Sequence, residues 1–150
     1  MKAIKQQLYA HCQQWVDNKI ALAQSEINAA QAAANEETKS SAGDKYETAR
    51  AMAQLEIEKS TRQLAEAGKL KRLLGEFSGG TESSETQLGS LVQTNHGWFY
   101  ISLSAGKIEL GEITCICLSP VSPLGVKLMS LKSGDTFSFN NRNFQIQAVY

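Results

Sequence analysis

Proline is nearly missing from this chain of 150 residues: there are two, and none lies in the first 77. Nothing in that stretch therefore removes a helical hydrogen bond or wedges a ring against the preceding turn. Cysteine is scarce, odd in number at three, and never in CxxC spacing, which excludes a disulfide framework and a zinc ribbon. No apolar run approaches the roughly 20 residues that span a bilayer. The opening Met1-Lys2-Ala3-Ile4-Lys5-Gln6-Gln7 lacks the apolar core of a secretory signal, so a cytoplasmic location is expected. Net charge is also lacking, since 15 basic residues cancel 15 acidic ones; this argues against a protein that works by coating nucleic acid. P-loop, GxGxxG, HExxH and nucleophile-elbow patterns are absent too. A self-contained enzyme with a stably bound cofactor is not expected.

What is present is helix-forming sequence. Residues 1–35 are rich in Ala, Gln, Leu and Lys, and residues 45–77 repeat that character around a polar tract, Glu36 to Asp44. Two helices of similar length with a short polar turn fold back on each other. At 1.5 Å per residue each is roughly 50 Å long, more than a small core requires. A 3-4 repeat picks out Ile4, Leu8, His11, Trp15, Asn18, Leu22, Ser25, Ala29 and Ala32 as the seam of the first helix. Tyr46, Ala49, Ala53, Ile57, Ser60, Leu64 and Ala67 form that of the second, followed by Leu70, Leu73, Leu74 and Phe77. The expectation is a slender antiparallel coiled-coil hairpin. His11 has no second ligand at i+3 or i+4, where Gln14 and Trp15 stand, and reads as a seam residue. Lys69, Lys71 and Arg72 near the end of the second helix read either as solvated charge that suits the helix dipole or as a basic contact with a partner.

Residues 1–77 hold 21 of the 30 charges, and composition shifts near Gly75. The chain divides into a finger (1–77), a Gly/Ser linker (78–87) and a second domain (88–150). There, 91–94, 98–103, 107–110, 113–118, 136–139 and 143–149 alternate as strands, and Val126–Leu131 fits one or two helical turns. The fold class is α+β, a hairpin followed by a small antiparallel β domain with one short helix. Cys115 and Cys117 face one side of a strand and read as buried structural thiols.

One segment carries a specific resemblance. Ser119-Pro120-Val121-Ser122-Pro123-Leu124-Gly125-Val126-Lys127-Leu128-Met129, followed by Gly134-Asp135, resembles the C-terminal signature of the Gre family of bacterial transcript-cleavage factors. Lys127 departs from it where a small residue is usual. Tyr46-Glu47-Thr48-Ala49-Arg50 is similar to the Tyr-x-x-Ala-Arg that opens the family's second helix. The resemblance covers the whole layout and implies an FKBP-like C-terminal domain. It implies RNA polymerase as partner, with Ser122, Pro123, Leu124 and Gly125 docking on the rim of the secondary channel and the finger entering it. Nucleic acid would be met only inside the elongation complex.

In that family the finger's apex presents carboxylates to the polymerase Mg²⁺, a hard ion that takes oxygen ligands. Here Lys39, Ala42 and Lys45 stand where the three acids belong. Carboxylates remain nearby at Glu36, Glu37, Asp44 and Glu47; Glu36, Glu37 and Asp44 are readable as metal-directed or as helix-end and capping charges. The altered apex implies occupancy of the channel over efficient cleavage, by a monomer. Two other readings stand beside this one. The first is an FKBP-like peptidyl-prolyl isomerase or chaperone module using Trp98, Phe99, Tyr100, Phe137, Phe139 and Phe144, which read more naturally as core. The second is a structural coiled-coil dimer.

Overall fold

The computed structural model describes residues 1–37, 43–79 and 82–150, with no side-chain placement for Glu37, Gly43 and Asp44. It is α+β and divides into two compact units, Trp15–Arg72 and a unit formed by Met1–Gln14 with Leu73–Tyr150.

The helical unit holds most of α1 (Lys2–Glu37) and α2 (Gly43–Gly75), of 36 and 33 residues. Ser60 Oγ donates to Glu26 Oε2 at 2.9 Å, and Lys71 Nζ lies 3.0 Å from Asp17 Oδ1. Late residues of α2 thus sit beside early residues of α1, and the helices run antiparallel. The seam is thin. Val16, Ala23, Ile27 and Ala30 of α1 are buried, as are Ser60 and Ala67 of α2. Alanine has no side-chain entropy to lose and lets backbones approach closely.

The α2 seam is the expected one, with Ser60 fully covered. The α1 seam is turned by about one residue. His11, Asn18, Ser25, Ala29 and Ala32 are exposed, Trp15 is half-buried, and Leu22 is 61% exposed. Leu8 is buried as expected, and within the helical unit the α1 side chains that pack are Val16, Ala23, Ile27 and Ala30. Both registers have heptad spacing, so periodicity alone does not choose between them. The chosen one places β-branched Val16 and Ile27 inside.

In the other unit six strands lie in the order β3-β4-β2-β1-β6-β5. They are β1 (Leu91–Thr94), β2 (Gly97–Ile101), β3 (Gly106–Leu110), β4 (Ile113–Leu118), β5 (Thr136–Phe139) and β6 (Arg142–Val149). Every pairing is antiparallel except β2 with β4, which run parallel from Trp98↔Cys115 to Ile101↔Leu118. The sheet is mostly antiparallel, as expected, with this one parallel pair. The β3–β4 hairpin turns at Gly111 (φ 60°) and sets β3 on the outer edge, so β4 returns alongside β2 in its own direction.

One face of the sheet buries Val92, Phe99, Ile101, Leu118, Phe144 and Ile146 beneath Leu128 of α3 (Pro123–Leu128). The helix begins three residues before the expected Val126. The first turns of α1 belong to this unit, where Leu8 and Cys12 are fully buried and Cys12 Sγ lies 3.3 Å from Ser102 Oγ. Tyr9 donates to the Leu74 carbonyl at 2.7 Å and meets Phe77 edge-on. Part of the expected linker, 80–81, lies outside the described residues. Beyond it Thr86 is buried and exchanges backbone hydrogen bonds with Ser130 and Leu131.

Candidate docking site at helix α3

The segment Ser119–Val126 builds itself from short-range hydrogen bonds. Ser119's carbonyl accepts from Ser122 N at 3.1 Å and from Ser122 Oγ at 2.5 Å, while Ser119 Oγ accepts from Val121 N. Ser122 is the N-cap of α3, its Oγ accepting from Gly125 N at 3.2 Å. A serine there satisfies a donor that the first helical turn leaves open. Pro123 occupies the first helical position, where a missing N–H costs nothing. Gly125 is buried so tightly that a Cβ would overlap the Ser119 carbonyl oxygen and come within 2.8 Å of Ser122 Oγ. Glycine is required here for space, not for its φ.

The rest of the signature is structural as well. Leu124, Leu128 and Met129 pack on the core. Gly134 holds φ 93° and donates to the Ile146 carbonyl at 2.7 Å. Asp135 Oδ2 accepts from Lys132 N at 2.8 Å. With these roles assigned, the side chains that the segment turns outward are Val121 at 84% exposure, Val126 at 60%, Pro123 and Lys127. An apolar knob of this kind on a hydrogen-bonded scaffold suits a protein contact. Of the four expected docking residues, then, Pro123 is exposed. Ser122 caps, Leu124 turns inward and Gly125 fills the close approach. The two exposed valines are not among the expected residues, because a signature match highlights the residues that build the loop. A β-branched apolar residue on each side of Ser122-Pro123 was the available signal.

The other candidates are spread apart. Lys69 pairs with Glu66 at 3.1 Å and Lys71 with Asp17 at 3.0 Å, both exposed, while Arg72 lies in the last turn of α2. Such surface pairs contribute about 0.2–1 kcal/mol each. Glu36 is exposed in the last turn of α1, where a negative charge opposes the helix dipole, so helix stability does not account for it. The side chains of Glu37 and Asp44, and all of Lys39 and Ala42, lie outside the described residues. Among the described residues no group of three His, Cys, Asp or Glu side chains is placed to hold a metal, and no helix is long and apolar enough to cross a membrane.

The aromatic side chains proposed for an isomerase pocket are largely packed together. Phe99 and Tyr100 are buried, and Phe144 is buried with Phe137 stacked on it at 4.9 Å between ring centres.

The three thiols gather in the interior of the sheet unit, a feature sequence spacing did not reveal because Cys12 comes from a helix and Cys115 and Cys117 from β4. Hydrogen bonding to Cys115, with burial, pushes the Cys117 thiol from 9.0 up to about 12. Hydrogen bonding to Cys117 and burial likewise push Cys12 up. Burial raises Tyr100, whose hydroxyl has no hydrogen-bond partner among the described residues. Such thiols stay protonated and unreactive. An acid with a raised pKa stabilises the fold below its unfolded value and loses that contribution as pH climbs through its folded value. Thermal melts should therefore show stability falling between about 9 and about 12. A thiol-specific reagent at neutral pH should label the unfolded chain and leave the native one untouched.

Comparison of the chain with protein-family models, curated proteins and solved structures finds no match.

Proposed function

We propose that this chain is a regulator of RNA polymerase of the Gre type, which binds the polymerase through the loop leading into α3 and places the α1–α2 hairpin in the secondary channel. The observation that carries this reading is the Ser119–Val126 segment. Ser122, Pro123 and Gly125 each have a building role, and together they hold Val121, Pro123 and Val126 outward on a fixed frame. A preformed apolar projection loses little entropy on docking. The FKBP-like description of the C-terminal unit belongs to the same reading.

Two long helices without an internal proline supply the probe. Its action is occupancy, because Lys39, Ala42 and Lys45 replace the acids that metal-assisted cleavage would use. Glu36, Glu37 and Asp44 are the carboxylates we place nearest the polymerase Mg²⁺ in this reading. Transcript cleavage in stalled elongation complexes tests this step. The wild-type chain should bind and slow nucleotide addition while adding little cleavage, and Asp44→Ala should leave that residual cleavage unchanged. Strong cleavage that Asp44→Ala abolishes would make the chain a cleavage factor with a relocated acid.

A further inference from the structure

Helix α1 carries two apolar heptad stripes, and α2 covers one of them. Val16, Ala23, Ile27 and Ala30 are buried, whereas Trp15, Leu22 and Ala29 follow the same spacing on the neighbouring flank and stay half-buried or exposed. On α2 that flank continues with Met52 and Leu55, each 65% exposed. Among the described residues, Leu22, Met52 and Leu55 are the exposed large apolar side chains of the helical unit. The opposite flank shows polar or small groups such as Gln24 and Asn28, which hydrogen-bond to each other at 3.1 Å. An open groove of about 430 Å³ runs along the apolar flank between Trp15, Leu22 and Leu70.

The charges on this flank identify what covers it. Along the groove Lys19, Lys59 and Arg62 stand with Glu26 and Glu66. The contacts of Ser60 with Glu26 and of Lys71 with Asp17 fix the level of α2 against α1. Lys19 of α1 then lies near the level of Glu66 of α2, and Glu26 near that of Lys59 and Arg62. At each level the two helices carry opposite signs. A flank of one sign would select a partner of the other sign, but this one carries both. It complements itself when a two-fold axis runs along the hairpin, because α1 of one copy then faces α2 of the other at the same level. Lys19 meets Glu66 of the other copy, Glu26 meets Arg62, and Trp15 meets Leu70.

We propose that this flank is a self-association surface on which a second copy of this chain packs in parallel, closing a four-helix bundle. The proposal goes beyond polymerase binding and does not depend on it. Where both hold, pairing withdraws hairpins from a narrow channel, and the free monomer is the regulating form.

Sedimentation equilibrium of the full chain over a wide concentration range tests it. Wild type should show a reversible monomer–dimer equilibrium. Leu22→Glu with Leu55→Glu should raise the dimer dissociation constant at least roughly tenfold per leucine. The helical circular dichroism of the monomer should be kept, since both side chains are exposed in it. Lys19→Glu should weaken the dimer, and adding Glu66→Lys should restore it. A chain that stays monomeric throughout, a dimer indifferent to both leucines, or a charge reversal that is not rescued would overturn the proposal.

Discussion

Replacing Gly125 with valine should remove polymerase binding and lower the melting temperature of the sheet unit. The glycine is buried, and any Cβ there enters the space of the Ser119 carbonyl, whose oxygen already accepts two hydrogen bonds from Ser122. The nearest obstacle is the Ser119 backbone, which cannot swing aside as a flexible side-chain end would. The first turn of α3 must move outward, which breaks the Ser122 cap and withdraws Leu124 and Leu128 from the core. Overpacking of this kind costs about 1–3 kcal/mol, and loss of a cap about 1 kcal/mol more. For a chain of this size that corresponds to a fall of roughly 5–15 °C, readable by calorimetry. Gly75→Ala is the matched control. Nothing lies within 4 Å of a Cβ at that helix end, so it should leave the melt unchanged or raise it slightly. If Gly125→Val melts like wild type, the loop tolerates what its packing says it cannot.

The second large effect isolates contact from folding. Val121→Asp combined with Val126→Asp changes two side chains that are 84% and 60% exposed, so the melting temperature should stay close to that of wild type. Binding to RNA polymerase should nevertheless weaken by about 100-fold or more, because two apolar contacts are replaced by charges that would be buried without a partner. Lys127→Ala, at an exposed neighbouring position, should change the affinity far less. Equal affinity of wild type and the double aspartate variant would move the docking surface away from α3.

Much of the fold was legible, and the places where it was not have physical causes. All six strands fall where alternation and turn residues put them, including β5 and β6 around Asn140-Asn141, both with positive φ. Strand order was not legible, because alternation marks faces and not neighbours; hence the parallel β2–β4 pair. On α2 the seam could be read because the neighbouring flank, where Met52 and Leu55 stand, turns to charge at Lys59, Arg62 and Glu66. On α1 two rows with heptad spacing compete, and the one rich in Trp and Leu is the uncovered one. The expected start of α3 falls three residues late because Ser122 and Pro123, its cap and first helical residue, lie outside the apolar pattern from Val126 that marks a helix. At the candidate site the signature covers Ser119 to Met129. It marked the residues that shape the loop, while Val121 and Val126, which the loop presents, are legible only once Gly125 and Leu124 are seen to be turned inward. The clustering of Cys12 with Cys115 and Cys117 depends on a contact across 90 or more positions and leaves no trace in local spacing.

Site-specific crosslinking from the exposed Lys45, close to the start of α2, tests the account most directly. A short photoactivatable group at that position, in the full chain mixed with purified RNA polymerase, should give crosslinks to the walls of the secondary channel, and the Val121→Asp with Val126→Asp variant should abolish them. No complex with the polymerase, or crosslinks confined to its outer surface, would contradict the account.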